Sequence, residues 1–251
     1  MLKEVDFYYF SPTGGTKKAG SVLASEIAET VNEVNFADKT VTPSSSDVVV
    51  VAAPVFAGRI PPTVTDKISK LKGDGKKAIT IVVYGVRAYE DALLELNDAI
   101  EKSGFRVVAS AALVAQHSIV PEVGAGRPDQ GDISEIRQFA NSVLDVIKDG
   151  RTAAVTVPGN RPYKENKKGA ATPISLPTCD ACSYCVTLCP TEAITVSSEG
   201  IVTDVGKCMM CMACVAKCPT LSRILPPPLQ AGLTEKLSAF KNVRRENEFY
   251  L

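Results

Sequence analysis

The chain has 251 residues, 45% of them hydrophobic, and its 28 basic and 28 acidic side chains cancel to a net charge of zero. That length allows one full-sized core and a second, smaller domain. The balanced charge gives no electrostatic footprint for nucleic acid or a membrane surface, and no apolar run reaches the ~18 residues of a membrane span.

Residues 2–10, Leu-Lys-Glu-Val-Asp-Phe-Tyr-Tyr-Phe, read as a strand. It stops at Ser11-Pro12-Thr13-Gly14-Gly15-Thr16, after which Ala19, Val22, Leu23, Ile27 and Val31 recur at helical steps. A turn from a strand's carboxyl end into a helix favours an anion, through free backbone N–H groups and the helix dipole. Ser11, Thr13 and Thr16 add hydroxyls, while Gly14 and Gly15 let the backbone approach a phosphate. The turn has neither the Gly-Lys-Ser/Thr of an ATP loop nor the G-x-G-x-x-G of dinucleotide folds. It resembles the FMN-phosphate loop of flavodoxins, Thr/Ser-x-Thr-Gly-x-Thr, at Ser11, Thr13, Gly14 and Thr16.

Residues 32–36 read as a second strand, and 47–53 as a third that is buried on both faces. The loop from Pro54 to Pro61 follows, then a helix near 63–71, a strand over 77–84, and the loop Gly85-Val86-Arg87-Ala88-Tyr89. A helix over 90–102, a fifth strand over 105–115 and a closing helix over 133–147 complete the pattern. This alternation predicts an α/β domain over residues 1–150: a doubly wound, five-stranded parallel sheet in flavodoxin-like order 2-1-3-4-5. Its ligand site should lie at the carboxyl ends of the strands, where loops 11–16, 54–61 and 84–89 converge.

Candidate flavin contacts there are Pro54, Val55, Phe56, Ala57, Gly58, Arg59, Tyr84, Gly85, Arg87 and Tyr89. Phe56, Tyr84 and Tyr89 are either stacking partners or packing residues, and Gly58 lets a carbonyl turn toward flavin N5. Arg59 and Arg87 are either solvated charges or partners of the flavin's anionic edge. His117, the only histidine, follows the fifth strand, as a plain loop residue or with a proton or hydrogen-bond role.

Residues 151–173 lose periodicity and carry Arg161, Lys164, Lys167 and Lys168; they read as a linker, solvated or docking an acidic redox partner. All eight cysteines fall in two runs of C-x2-C-x2-C-x3-C-P. The first is Cys179, Cys182, Cys185, Cys189 and Pro190; the second, 29 residues on, is Cys208, Cys211, Cys214, Cys218 and Pro219. Three thiolates at two-residue intervals need a tight loop around a bulky core, and each must be deprotonated to bind it. Zinc ligands come as separated pairs. Disulfides are rare in the reducing, cytoplasmic setting expected of a chain that opens directly into a strand, so cubes of iron and sulfide fit best. Pro226-Pro227-Pro228 should stop regular structure, and in the tail, 227–251, Leu233, Leu237, Phe240 and Val243 mark a helix that docks back.

Residues 174–226 resemble the two-[4Fe-4S] bacterial ferredoxins, a small α+β domain. In that run the fourth cysteine serves the other cluster. The resemblance therefore implies Cys179, Cys182, Cys185 and Cys218 around cluster 1, and Cys208, Cys211, Cys214 and Cys189 around cluster 2. The whole chain resembles the flavodoxin–ferredoxin fusion proteins of anaerobic bacteria and archaea. That resemblance implies FMN, two clusters and electron transfer with redox partner proteins, donor and acceptor unassigned and a homodimer left open. The alternatives are a flavin-dependent reductase of a small substrate fed by the clusters, and a ferredoxin with a flavin-free docking domain. Asp180, Ser183 and Tyr184 in the first cysteine loop, against Met209, Met210, Met212 and Ala213 in the second, predict a drier second cluster with a different potential.

Overall fold

The computed structural model of the chain describes residues 1–150, 153–165, 171–198 and 200–251. Strand β1 (Leu2–Tyr9) runs into helix α1 (Gly15–Ile27), then β2 (Ala28–Asn35), β3 (Val48–Pro54), α2 (Pro62–Ile68) and β4 (Lys77–Tyr84). Helix α3 (Ala92–Lys102), β5 (Arg106–Val114) and α4 (Gln130–Lys148) follow. The five strands pair in parallel in the order 2-1-3-4-5, which is the flavodoxin-like arrangement. Every residue of β3 is buried, as its run of Val and Ala ahead of Pro54 requires of a strand covered on both faces. One apolar layer joins α1 and α4 to the sheet through Leu23, Ile27, Ile136 and Val143. The other joins α2 and α3 through Val64, Ile68, Leu93 and Leu96. Between α3 and the sheet, the Thr80 hydroxyl lies 2.6 Å from Asn97 Oδ1 and 2.8 Å from Ser110 Oγ, satisfying a polar group that is otherwise wholly buried.

Two expectations shift here. Helix α1 ends at Ile27, so Val31 belongs to β2, which starts four residues before the expected 32. Its apolar residues at helical spacing are overridden by pairing of Leu2 with Ala28 and Val5 with Val31 in the sheet.

Residues 153–165 form a strap on the first half. Val155 and Val157 pack against the core, and Asp91 accepts the backbone N–H groups of Asn160 at 2.8 Å and Lys164 at 2.7 Å. Arg161 pairs with Asp98 at 2.5 Å and Lys164 Nζ with Glu90 at 2.5 Å, so both side chains, while largely exposed to solvent, are tied to the first half. Lys167 and Lys168 lie outside the described residues.

The cysteine-bearing module contains β6 (Ile174–Ser175), α5 (Tyr184–Thr187), β7 (Ile194–Ser197), β8 (Gly200–Thr203), α6 (Ala213–Ala216) and β9 (Arg223–Ile224). β6 pairs with β9 and β7 with β8, both antiparallel.

The proline triplet starts a helix instead of stopping structure. Helix α7 spans Pro227–Leu237 with Pro226 as its N-cap, because proline at the first helical positions lacks only an N–H that no helix would use. Leu233, Leu237 and Phe240 pack back on the first half. Strand β10 (Glu248–Tyr250) then pairs antiparallel with β5 and gives the sheet a sixth strand. No described helix is long and apolar enough to cross a membrane.

Candidate functional site

At the end of β1 the turn is drawn tight: the Ser11 carbonyl accepts Gly14 N–H at 3.3 Å, and Ser11 Oγ accepts Lys17 N–H at 2.9 Å. Gly14 takes a left-handed φ of 96°, with nothing within 4 Å of where a Cβ would stand. As the N-cap of α1 it offers no side chain to its amides, and the first turn holds no acidic residue. That leaves a helix N-terminus open to an anion. The neighbouring lysines are committed elsewhere, Lys17 to Glu33 at 2.5 Å and Lys18 to the Pro128 carbonyl at 3.0 Å.

Two adjoining cavities open at the carboxyl ends of the strands. The one at the turn is lined by Thr13, Gly15, Thr16, Pro54, Tyr84, Gly85 and also Cys211. The other, about 450 Å³, lies between Val55, Phe56, Ala57 and α2 on one side and Thr191, Lys207, Cys208, Met209 and Met210 on the other. Val55, Phe56, His117 and Ser118 border both. The three loops therefore converge, joined by 115–118 and by the module that carries the cysteines.

Four expected contacts point elsewhere among the described residues. Phe56 and Arg59 close a tight turn through mutual backbone bonds of 2.8 and 3.2 Å, with Ala57 and Gly58 at its tip. The Gly58 carbonyl accepts Asp91 N–H at 3.1 Å, and a Cβ there would strike the Glu90 carboxylate at 1.8 Å; Gly58 thus faces the start of α3. Arg59 forks onto Glu95 at 2.6 and 2.7 Å, donates to the Lys164 carbonyl at 2.6 Å and lies over the Tyr163 ring, which fastens the strap. Arg87 pairs with Glu90 at 2.8 Å. Tyr89 is buried with its hydroxyl 2.6 Å from Glu248 and 2.7 Å from Tyr250, so it secures β10; burial and then that carboxylate push its phenol far up. Tyr84, which lines the turn cavity, meets Tyr89 edge-on at 5.3 Å.

His117 Nδ1 accepts the N–H groups of Ile119 at 3.2 Å and Val120 at 3.1 Å. Burial, helped by the Arg87 charge, lowers its pKa. The imidazole is held neutral, with Nε2 as the N–H donor.

The two cysteine loops repeat each other in backbone geometry as in sequence. Ala181, Ser183 and Glu192 are left-handed, and so are Met210, Met212 and Leu221, each 29 residues later. Side chains rarely tolerate that conformation, so the repeat marks loops bent around what they enclose. One cavity is lined by Cys179, Cys182, Cys185 and Cys218, with Cys214 and Arg223 at its wall. The other is lined by Cys189, Cys208, Cys211 and Cys214. Backbone N–H groups aim at sulfur, from Ala193 to Cys189 at 3.2 Å and from Met210 to Cys208 at 3.5 Å. Cys182 is exposed while its counterpart Cys211 is partly buried, and burial pushes the Cys211 thiol up to about 12. Binding a metal there must expel protons from buried sulfur.

Residues 7–109 match the model of a flavodoxin domain, and residues 172–219 match that of a 4Fe-4S dicluster domain. The chain joins these two domains in the order of a flavodoxin–ferredoxin fusion. A flavodoxin domain implies FMN, and a dicluster domain implies iron–sulfur clusters. No curated protein matches the chain. Among solved structures it is similar to rubredoxin oxygen:oxidoreductase from the anaerobe Desulfovibrio gigas, at 17% identity and a TM-score of 0.43, over 58% of this chain and 36% of that one. It is similar also to a flavodoxin from the domain Archaea, at 15% identity and a TM-score of 0.40, over 58% of this chain and 99% of that one. A WrbA-like flavodoxin from Agrobacterium tumefaciens shares 13% identity with a TM-score of 0.45, over 59% of this chain and 99% of that one.

The residues present fit both groups. For FMN, the fit rests on the Gly15 and Thr16 amides at the start of α1, the Lys17 amide being taken by Ser11 Oγ, beside hydroxyls and an open glycine turn. For iron–sulfur clusters, it rests on at least four cysteines around each of two cavities of the dicluster domain, Cys214 bordering both, and on amides aimed at sulfur. Sequence reasoning missed the contact between the domains: Cys211, Met209 and Met210 wall the flavodoxin cavities. The methionine pair beside Cys208 was the available signal, read only as a dry lining for the second cluster.

Proposed function

We propose that the protein carries electrons between FMN in the flavodoxin domain, two [4Fe-4S] clusters in the dicluster domain and external redox proteins. Bound flavin exchanges two electrons in single steps and each cluster exchanges one, so the pair converts between the two kinds of traffic. Thr13, Gly15 and Thr16 hold the phosphate at the start of α1, and Val55, Phe56 and Tyr84 flank the ring. Cys179, Cys182, Cys185 and Cys218 take the first cluster, and Cys208, Cys211, Cys214 and Cys189 the second.

The observation that carries this reading is Cys211 in the wall of the cavity that contains the phosphate turn. A ligand of the second cluster thereby borders the flavin site within one chain, while exposed Cys182 leaves the first cluster facing outward, toward a partner. The order flavin, second cluster, first cluster, partner follows. Lys207–Met210 close one side of the larger cavity, which favours transfer over reduction of a small substrate on an open ring face.

Anaerobic purification followed by flavin, iron and sulfide assays tests it. One FMN with about eight iron and eight sulfide per chain is expected; a preparation without flavin, or without iron, ends the proposal. Thr13→Ala with Gly14→Val should weaken FMN binding roughly tenfold or more, since a β-branched residue is forced into a left-handed turn and a hydroxyl donor is lost, while iron content stays.

A further inference from the structure

Among the described residues, Arg223 is one of the largest fully buried side chains, 2% exposed, and no carboxylate pairs with it. Its Nη1 donates to Ser175 Oγ at 3.0 Å, and its Nη2 to the Pro173 carbonyl at 3.0 Å and Thr203 Oγ1 at 2.7 Å. All three are neutral acceptors. Buried guanidinium is costly to desolvate and keeps its proton in proteins, so its charge needs an opposite one nearby. Two things sit there. Nη2 reaches Cys214 Sγ at 3.9 Å, a residue of the second cysteine set, and Arg223 also forms part of the wall around Cys179, Cys182, Cys185 and Cys218. Its Nε–H is buried with no partner among the described residues.

We infer that Arg223 is the fixed counter-charge shared by both cluster sites, holding the two reduction potentials up together. Four thiolates make each loaded site negative, and each one-electron reduction adds a further negative charge without making or breaking a bond. A permanent cation touching both sites favours the reduced form of each. Its place in β9, paired with β6, holds it between the duplicated loops, so one side chain serves both sites of the repeat. Arg223 is a positioning and electrostatic residue for the proposed electron transfer, and the inference rests on that reading.

Redox-titrated EPR of the anaerobically purified full chain, with dithionite as electron source, tests it. Arg223→Gln should lower the reduction equilibrium constant of both clusters, at least tenfold at the site of Cys214, or about 59 mV for a one-electron couple. Arg223→Lys, which keeps the charge, should stay near wild type. Ser175→Asp sets a carboxylate against the intact guanidinium and should lower both potentials in the same sense; it carries the test should Arg223→Gln fail to take up iron. Unchanged potentials in loaded Arg223→Gln or Ser175→Asp overturn the inference, and a shift at one cluster alone overturns the sharing. Wild-type protein without iron and sulfide would instead overturn the proposed function, so the two failures are distinct.

Discussion

His117 presents its imidazole to both cavities while Nδ1 takes two backbone N–H groups from the loop that follows. Protonating Nδ1 would break both bonds and place a cation beside Arg87. The folded pKa is depressed by burial first and by that charge second, whereas an unfolded imidazole titrates near ~6.5. The stabilising contribution is therefore complete above that value and is lost as pH falls toward the lowered folded pKa, because the unfolded chain binds the proton first. The difference in melting temperature between the protein and His117→Gln, followed from pH 7.5 to 5, should shrink toward acid; a constant difference would rule out this coupling. The turn from β1 into α1 could be read from Ser11, Thr13, Gly14 and Thr16 because hydroxyls and glycine at fixed spacing between a strand and a helix are a local signal. Arg59 and Tyr89 could not be placed the same way. Their partners, Glu95 and Glu248, lie 36 and 159 residues away, and neither side chain carries a mark of which long-range carboxylate it will meet.

Strand β10 is three residues long, too short to stay paired by its ladder alone, and it is secured by the residue before it. Asn247 Oδ1 accepts Val114 N–H at 2.9 Å, and Nδ2 donates to Asp132 at 2.9 Å and Glu135 at 2.7 Å, joining β5 to the start of α4. Phe249 adds a ring contact to Phe139 at 4.6 Å. Asn247→Ala leaves the buried Val114 N–H without its partner, while Asp132 keeps Arg127 and the Asp129 N–H, at a cost of about 1–3 kcal/mol. Faster hydrogen exchange at Phe249 and Tyr250 should appear together with a lower midpoint in urea; protection as in the parent protein would show that the ladder suffices. The main elements were legible wherever apolar spacing was strong, as in β3 and α4. Val31 failed because a β-branched residue at helical spacing is also a good strand residue, and pairing with Val5 decides between them. Pro226-Pro227-Pro228 failed because proline ends one helix and begins another, and only the packing of Leu233 and Leu237 on the sheet domain selects the second.

Across the molecule the sequence separates two domains but carries no sign of how closely they sit. The contact is made by Met209, which packs against the flavodoxin core, by Cys211 at the cavity beside the Thr13–Thr16 turn, and by Lys39 with Glu192 at 3.0 Å. That ion pair is exposed and contributes little. With the second cluster site against the flavin cavity in one chain, oxidation of the reduced flavin by the clusters should follow a rate constant that does not change as full-length protein is diluted tenfold in a stopped-flow experiment. A rate that falls with dilution would show that electrons cross between molecules. The strap fastened by Arg59, Asp91 and Asp98 leads out of the flavodoxin domain, and α7 with β10 leads back onto it. The dicluster domain is thus a closed loop pinned at both feet, not a bead on a tether. For a tethered bead, linker length and stiffness set how often donor and acceptor meet. With both feet fixed, that local concentration becomes a property of the flavodoxin surface, and a rival protein seeking the flavin from this side meets an occupant that dilution cannot remove.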